Sequence, residues 1–319
     1  YPAQGEILPD SADFVRYNFD SISVEDWRRH NVDLLVSQVS QMIKTLAPHV
    51  KFGVSPFGVW RNISKDPELG SATRAGVNTY DDLYADVRGW LAKGWIDYVA
   101  PQLYWNIGFA PADYEILVDW WRRNAFDKHV YIGQAAYKVD SGNEGPWKNP
   151  VEIPRQIRLN RQTAGVGGSI FYNTSSLRKN PLGVLDSLRN QYFSAPALPP
   201  EMAYLNIPQP NAPKLGKPNF KAGKLTLPMS VSRSEKNAAY LVVYRFEDRL
   251  PGDFNNPHNI FALIPMGNGT TSVSVEDANL EEGKIYTYVA SAVNRQHTES
   301  NLSERRTVQV SKNKLKVLK

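Results

Sequence analysis

Polar and aromatic side chains follow four short apolar segments of the sequence, and they are the residues best suited to bind a ligand. Parallel strands present such side chains at their carboxyl ends, both in barrels and in open α/β sheets. Amide groups bond the hydroxyls of a sugar, and aromatic rings cover its apolar C–H faces. The pattern predicts a carbohydrate-binding mouth, although Tyr104 and Trp105 would equally suit packing beneath a loop. The candidate binding residues are Trp60, Arg61, Asn62, Gln102, Tyr104, Trp105, Asn106, Gln134, Tyr137, Tyr172 and Asn173.

Carboxylates are scarce at the predicted mouth. A glycosidase ordinarily needs two carboxyl groups that flank the scissile bond, and none of the four segments carries an Asp, Glu or His at its exit. Asp140 and Glu144 follow the third segment and are the only nearby candidates for catalytic residues. Asp81 and Asp82 open a predicted helix, where negative charge complements the macrodipole. The segments therefore supply binding groups without an obvious acid–base pair.

Other kinds of chemistry have little support. His49 and His129 precede predicted strands, on the structural side of such a fold, so neither is favoured as a metal ligand or general base. The sequence has no cysteine, no HExxH motif, no phosphate-binding glycine loop and no nucleophile elbow. We therefore expect neither a metal nor a cofactor.

The four segments alternate with helical patterns, which predicts an α/β fold with a parallel sheet. Ser23 with Asp26 forms a capping box for a helix that ends before Pro48, and Thr79 with Asp82 forms a second one for a helix closed by Gly94. Further helices are predicted over 111–124, 154–163 and from Asn180 to Phe193, and an irregular loop over 1–20. The strands are predicted at 51–60, 95–101, 129–137 and 167–173. A (β/α)8 barrel needs about 250 residues and eight strands, so this pattern indicates half a barrel.

A different pattern follows a proline-rich segment at 206–213. Short runs of alternating residues separated by turns predict a β-sandwich over 214–319, and Tyr286 and Tyr288 would suit a tyrosine corner. The predicted domains are thus 1–205, a stiff linker at 206–213, and 214–319. The predicted strands of the sandwich are 224–230, 239–246, 260–265, 271–275, 285–292 and 307–310.

The positive charge is concentrated near the carboxyl end. Residues 1–213 hold 21 Lys and Arg against 22 Asp and Glu, whereas residues 214–319 hold 16 against 10. Lys312, Lys314, Lys316 and Lys319 are expected to form a solvated tail, so nucleic acid is not an expected partner. No apolar run is long enough to span a bilayer. Because Tyr1 is not an initiator methionine, the start is expected to be an internal boundary or a processing site.

Five longer motifs of the sequence point to one family. The motifs are DWRRHNV at 26–32, FGVSPFGVWRN at 52–62, YDDLYAD at 80–86, WIDYVAPQLYW at 95–105 and YIGQ at 131–134. On these motifs the sequence resembles, over residues 1–205, the glycosyl hydrolase-like 10 family, once a domain of unknown function that includes secreted bacterial proteins. Residues 210–312 resemble a fibronectin type III module.

The resemblance implies a full (β/α)8 barrel, of which this chain would hold the carboxy-terminal half. In the family an HFDDY run with the expected catalytic aspartates usually precedes a Tyr-Pro pair like Tyr1-Pro2. The implied parent is a glycoside hydrolase acting on a poly- or oligosaccharide, extracellular or periplasmic, with a surface lipoprotein as one form. The chain itself is then expected to be inactive alone. The alternative is a non-catalytic carbohydrate-binding protein.

Half a barrel would leave the two outer strands of its sheet unpaired, and such edges invite pairing with another chain. We expect a four-stranded parallel sheet whose edges are covered in one of three ways. The covering element would be the segment 1–20, the β-sandwich, or a second copy in a homo-oligomer.

Overall fold

A computed structural model describes residues 7–205, 207–232, 238–267, 269–311 and 314–318. Tyr1, Pro2, Lys312 and Lys319, which carried expectations above, lie outside these ranges. The chain divides into two compact units, Tyr1–Tyr192 and Phe193–Lys319. The predicted boundary after residue 205 therefore moves, because Leu198 packs on a core cluster of the second unit and the Met202 N–H donates to the Gln296 carbonyl at 3.0 Å.

The first unit is a four-stranded parallel sheet with helices, as the alternating pattern predicts. The strand order is β1–β2–β3–β4, and Tyr98 lies in register with both Gly53 and His129. Single-turn 3-10 helices also occur at Ala136–Lys138, Pro146–Lys148 and Pro181–Gly183, and a π-turn at Leu188–Tyr192. The elements are α1 Ser11–Tyr17, α2 Val24–Leu46, β1 Gly53–Val54, α3 Thr79–Asp82, α4 Val87–Ala92, β2 Tyr98–Val99, α5 Tyr114–Arg123, β3 His129–Gln134, α6 Glu152–Gln162, β4 Val166–Phe171, α7 Thr174–Arg178 and α8 Val184–Ser187.

Helix starts follow side-chain caps, but not always the predicted ones. Ser23 caps α2 by accepting from the Asp26 N–H at 3.1 Å, as its capping box predicts. The second predicted helix is two short helices, α3 capped by Asn78 and α4 capped by Asp86. Tyr84 lies between them at φ 51°, a left-handed conformation that no α-helix can contain. The segment predicted as an irregular loop contains α1.

The strands β1 and β2 are much shorter than the predicted apolar segments. Pro56 and Pro101 lack the N–H donor that a continuous ladder requires, so the regular pairing stops before each proline. Isolated parallel bridges still join Phe57 to Gln102 and Gln102 to Gly133. The polypeptides beyond β1 and β2 therefore stay side by side, which brings their loops together.

The first unit leaves apolar surface exposed. On α2, the side chains of Leu35, Met42 and Leu46 are 61%, 63% and 78% exposed, and we call them the α2 apolar row. Among the described residues no strand pairs with the outer edge of β1 or of β4. The segment before α2 is attached to that helix, since Arg28 binds both oxygens of Asp10 at 2.7 Å.

The second unit is a sandwich of two antiparallel sheets. One sheet has the order β10–β7–β5, with β6 also paired to β7, and the other has the order β13–β12–β11–β8–β9. Their facing side chains share one core, for example Leu227 of β7 and Tyr288 of β11. The strands are β5 Lys214–Leu215, β6 Asn219–Lys221, β7 Lys224–Ser230, β8 Ala238–Phe246, β9 Ile260–Pro265, β10 Ser272–Asp277, β11 Ile285–Asn294, β12 Arg306–Ser311 and β13 Lys314–Leu318; 3-10 turns lie at Ala203–Leu205 and Pro257–Asn259.

Two details of the second unit bear on the sequence-based expectations. The Tyr286 hydroxyl accepts from the backbone N–H of Glu281 at 3.0 Å, which is the bond of a tyrosine corner. Lys314 and Lys316 are exposed, as expected of a solvated end, but they lie in a strand, β13, which pairs along its whole length with β12. Their exposed side chains alternate with Leu315, which packs on the core.

Candidate functional site

A cavity of about 480 Å³ opens where the chain leaves β1 and β2. Its wall is largely apolar and aromatic, and its polar groups are few, which is typical of small-molecule sites. Three candidate residues, Gln102, Tyr104 and Trp105, belong to the lining. The remaining lining residues are Phe57, Gly58, Ala75, Gly76, Val77, Phe109, Pro111, Ala112 and Lys138.

Trp105 is positioned by the close approach of Gly58 to its ring and by a hydrogen bond to its backbone carbonyl. A Cβ on Gly58 would lie 2.6 Å from Cζ3 of the Trp105 ring, so only glycine permits this approach. On the other side, Gln156 Nε2 donates to the Trp105 carbonyl at 3.1 Å. The buried carboxylate of Glu152 accepts from the Ile107 N–H at 2.9 Å and from Gln156 Nε2 at 2.9 Å. The loop that carries Trp105 is thereby held to the first turns of α6.

A second loop, residues 62–77, supplies the opposite part of the wall, and Asn62 holds it in place. The Asn62 Oδ1 accepts from the Ala75 N–H at 3.0 Å and from the Thr73 hydroxyl at 2.8 Å. Its Nδ2 donates to the Ala75 carbonyl at 2.9 Å. Asn62 is buried, so it shapes the cavity wall and does not reach into the cavity.

Arg61, directly before this loop, binds one carboxylate within the loop and one beyond it along the chain. Its guanidinium binds the two oxygens of Asp81 at 3.0 and 2.8 Å and reaches Asp66 at 3.5 Å. The bond to Asp81 is the main reason that the pKa of Arg61 is raised. The side chain is therefore engaged in an ion-pair network at the base of the loop.

Three of the predicted tyrosines come together beside the cavity. The rings of Tyr104, Tyr137 and Tyr172, which follow β2, β3 and β4, lie with centroids 5.9 to 6.1 Å apart. Burial raises the pKa of the Tyr104 and Tyr137 hydroxyls, and the neighbouring tyrosines raise it further. We call these three residues the tyrosine cluster. Tyr104 joins the cluster to the cavity, and Tyr137 and Tyr172 present exposed faces.

Lys138 is the single charged residue that lines the cavity among the described residues. Its Nζ donates to the Tyr104 carbonyl at 2.6 Å and lies 5.7 Å from the centroid of the Trp147 ring. Burial lowers the pKa of this ammonium group. The sequence signal was its position directly after Tyr137, but the candidate set did not include it.

Trp60 and Gln134 are corrected, because both lie in the core. Trp60 is 4% exposed, stacks on Trp120 with centroids 5.7 Å apart, and donates from Nε1 to Asp86. Gln134 is fully buried and donates to the Tyr114 hydroxyl at 2.5 Å, on the side of the sheet that faces α5. Neither side chain is accessible to a sugar in this structure.

Three other candidates have local hydrogen-bonding roles. Asn173 caps α7 by accepting from the Ser176 N–H at 2.9 Å. Asn106 Nδ2 donates to the Ile107 carbonyl at 2.8 Å. Gln102 lines the cavity while its Nε2 donates to the Ser55 carbonyl at 2.9 Å, so its Oε1 is the group left to meet a ligand.

No carboxylate lines the cavity in the described part of the chain. Asp140 forms an ion pair with Lys148 at 2.8 Å, and Glu144 is exposed in the same loop. Within the described ranges no three His, Asp or Glu side chains gather as a metal site. The arrangement can bind an apolar or aromatic-stacking ligand, but it holds no pair of carboxyl groups in reach of one.

The sequence reasoning missed most of the apolar wall. Phe57, Val77 and Phe109 come from three loops that are far apart in the chain, and none follows the alternation of a strand. Phe57 lies within the motif at residues 52–62, but nothing in the neighbouring sequence marks it as a residue of the cavity wall. Val77 and Phe109 had no signal beyond being apolar residues in loops.

Residues 4–149 match the family model described as Glycosyl hydrolase-like 10. This segment belongs to that family. The assignment made from the sequence motifs for 1–205 is thus confirmed over residues 4–149, which include every described residue that lines the cavity.

Two curated relatives and one solved structure extend the comparison. The chain is 43% identical over 313 residues to the glycosyl hydrolase YngK of Bacillus subtilis, covering 96% of this chain and 60% of YngK. It is 40% identical over 182 residues to the glycosyl hydrolase DigH of Escherichia coli K12, covering 55% of this chain and 41% of DigH. The chain therefore spans about half the length of these relatives. It also shows a likeness to a Fn3-like protein from Clostridium thermocellum, at 20% identity and a TM-score of 0.23, covering 34% of this chain and 99% of that one.

Within the described residues, no helix combines the length and the apolar character needed to cross a membrane.

Proposed function

We propose that the first unit of this glycosyl hydrolase-like protein binds a poly- or oligosaccharide in the cavity beside Trp105. The observation that carries the proposal is the gathering of Trp105, Gln102 and the tyrosine cluster at the carboxyl ends of parallel strands. Aromatic faces bind the C–H faces of sugar rings, while the Gln102 Oε1 accepts from a hydroxyl. The family membership of residues 4–149 supports a sugar as the ligand.

We also propose that the first unit is the carboxy-terminal half of a (β/α)8 barrel. Its strand order, the two sheet edges that no described strand pairs with and the exposed α2 apolar row support this arrangement. Additional sequence of the longer relatives would supply the missing strands. The catalytic carboxylates would then come from those strands, in keeping with a cavity lining that contains none among the described residues.

The second candidate function is carbohydrate binding without hydrolysis, and the same lining favours it. To distinguish the two functions, this chain and a longer protein of the length of YngK that contains it are each incubated with a panel of bacterial and plant polysaccharides. Because loss of a general acid typically costs about 10²–10⁴-fold in rate, we expect release of reducing ends from the longer protein only. Robust hydrolysis by this chain, abolished in Asp140→Asn or Glu144→Gln, would show that it carries its own acid. Binding without release by either protein would favour the non-catalytic function.

The binding proposal is tested by Trp105→Ala. Removing the ring should weaken binding of an oligosaccharide hit from the panel by about 1–3 kcal/mol, since an aromatic face is lost. The control is Trp95→Ala, which removes a tryptophan before β2 at the opposite end of the same strand. Isothermal titration should show weaker binding only for the Trp105 variant. Equal affinities of the two variants would assign Trp105 to packing.

The remaining parts of the proposal concern assembly and location. A homo-oligomer that covers the open sheet edges is one arrangement for this chain, and light scattering of the purified protein tests it. An extracellular or periplasmic location, including a surface lipoprotein form, suits an enzyme whose substrate is a polysaccharide. We further propose that the second unit is a fibronectin type III-like module, supported by its two antiparallel sheets and its tyrosine corner.

A further inference from the structure

A second cavity, of about 430 Å³, lies in the first unit on the other side of α6. The side chains of Glu152 and Gln156 reach from α6 to the loop of Trp105, whereas this cavity adjoins the chain between residues 182 and 192. It is thus separate from the first cavity, which lies beside Trp105. The residues of interest in its lining are Val151, Pro154, Arg155, Arg158, Ser187 and Tyr192.

The segment of the chain that forms this cavity is mostly positive in charge. Residues 150–192 contain six Lys and Arg against two Asp and Glu, whereas residues 1–149 contain 15 against 19. The two acids are both engaged. Glu152 is buried against the Ile107 N–H, with Arg155 Nη1 at 3.6 Å, and Asp186 accepts from Asn180 Nδ2 at 2.7 Å. No carboxylate lines the cavity within the described chain.

Of the two arginines in the lining, Arg158 is the one without an ion-pair partner among the described residues. Its Nη2 donates to the Tyr192 hydroxyl at 3.1 Å, and in the described part of the chain no carboxylate oxygen lies within 4.0 Å of its guanidinium. The backbone carbonyl of Tyr192 is held by Arg161, which fixes this side of the cavity. Because the Tyr192 oxygen accepts from Arg158, its own proton remains available for donation.

The Ser187 hydroxyl adds a further donor, since it has no protein partner among the described residues. Two guanidinium groups and two hydroxyl groups thus line one space whose wall holds no carboxylate among the described residues, although Arg155 also pairs with Glu152 behind it at 3.6 Å. Guanidinium groups bind carboxylate and phosphate oxygens in a fork geometry that combines charge with hydrogen bonding. The apolar side chains of Val151, Pro154 and Leu182 form the rest of the wall and would contact a carbon skeleton.

We infer that this second cavity binds an oxyanion group, a carboxylate or a phosphate, carried on a small organic body such as an acidic sugar. Arg155 and Arg158 bind the anion, and the hydroxyl groups of Ser187 and Tyr192 complete its hydrogen bonds. This anion site is separate from the cavity beside Trp105, and anion binding there does not require that the protein hydrolyses a glycoside.

The test is isothermal titration calorimetry of the full 319-residue chain with small probes at low ionic strength. The probes are inorganic phosphate, galacturonate and, as the uncharged counterpart, galactose. We expect phosphate or galacturonate to bind and galactose not to bind, and the stronger of the two anions identifies the group that the cavity prefers. Binding of galactose as strong as that of galacturonate, or no binding of either anion, would overturn the inference.

Variants locate the site. Arg155→Gln with Arg158→Gln should weaken anion binding at least about tenfold, since a hydrogen bond to a charged group typically contributes that much or more. The matched control is Arg189→Gln, which removes an exposed arginine of the same segment that is not in the lining, and should stay within about twofold. If the double variant does not fold, Arg158→Lys keeps the charge, removes the fork and should still weaken binding. An equal loss in the control, or unchanged binding in the lining variants, would assign any affinity to the general positive field.

Discussion

The two units of this protein bury their apolar residues to very different extents. In the second unit Leu227 is fully buried between two sheets that cover each other, whereas in the first unit Leu46 on α2 is 78% exposed. An antiparallel sandwich closes on its own faces, but a parallel sheet with helices needs further strands and helices on both sides. The difference indicates that the second unit buries its core between its own two sheets, whereas the first unit leaves apolar side chains of α2 exposed.

The largest expected effect is a difference in unfolding free energy between the same substitution, Leu to Ala, made in each of the two units. Leu227→Ala should cost about 2–5 kcal/mol of unfolding free energy, because it opens a cavity in a closed core. Leu46→Ala should change it by less than about 0.5 kcal/mol, because its side chain is mostly exposed. Denaturant unfolding of the two variants measures both values. A cost for Leu46→Ala close to that of Leu227→Ala would mean that the α2 apolar row is covered in solution.

The next effect is a loss of stability of the second unit at alkaline pH. Burial and the hydrogen bond to Asp277, at 2.6 Å, raise the pKa of the Tyr288 hydroxyl well above its usual value. The folded unit thus keeps a proton that the unfolded chain releases above about pH 10. Stability should be constant below that pH and then fall by about 1.4 kcal/mol per pH unit for this tyrosine.

Tyr288→Phe should remove that part of the slope, and unfolding measured between pH 9 and 11.5 tests it. Tyr137→Phe, which changes an exposed tyrosine of the first unit, is the control and should leave the slope of the second unit unchanged. An identical slope in Tyr288→Phe and the parent chain would contradict the assignment.

The smallest effect concerns the tyrosine corner. Tyr286→Phe removes the acceptor of the Glu281 N–H and should cost about 0.5–1.5 kcal/mol. Tyr137→Phe again provides the comparison and should cost less than this. The thermal midpoint of the second unit, followed by near-ultraviolet circular dichroism, distinguishes the two. A neutral Tyr286→Phe would show that the corner bond adds nothing to the stability of the sandwich.

The sequence predicted the second unit better than the first. Strands such as β7 and β9 match their predicted bounds, because alternating residues over a covered face leave few other options. Lys314 and Lys316 are exposed as expected, but their strand was not predicted, since edge strands often carry exposed lysines while pairing on one side. In the first unit the order of strands and helices was predictable, but the interruptions at Pro56 and Pro101 shortened β1 and β2.

The candidate site was predicted in part, for a reason that lies in strand geometry. Tyr104, Tyr137 and Tyr172 follow adjacent parallel strands, so their gathering follows from topology alone. Gln134 was misplaced because side chains alternate between the faces of a strand, and Gln134 shares the helix-facing side of Ile132. The wall residues Val77 and Phe109 depend on how distant loops meet, which no local pattern of the sequence records.

The way in which Asn62 holds the loop of residues 62–77 makes this wall suitable for protein engineering. The amide of Asn62 binds main-chain atoms of Ala75 and one hydroxyl, so the path of the loop does not depend on the side chains of Gly76 and Val77. These two positions can be varied to change the shape and polarity of the cavity while the loop keeps its course. A library restricted to them would change the wall of the cavity at little risk to folding, because the buried amide of Asn62 fixes the path of the loop.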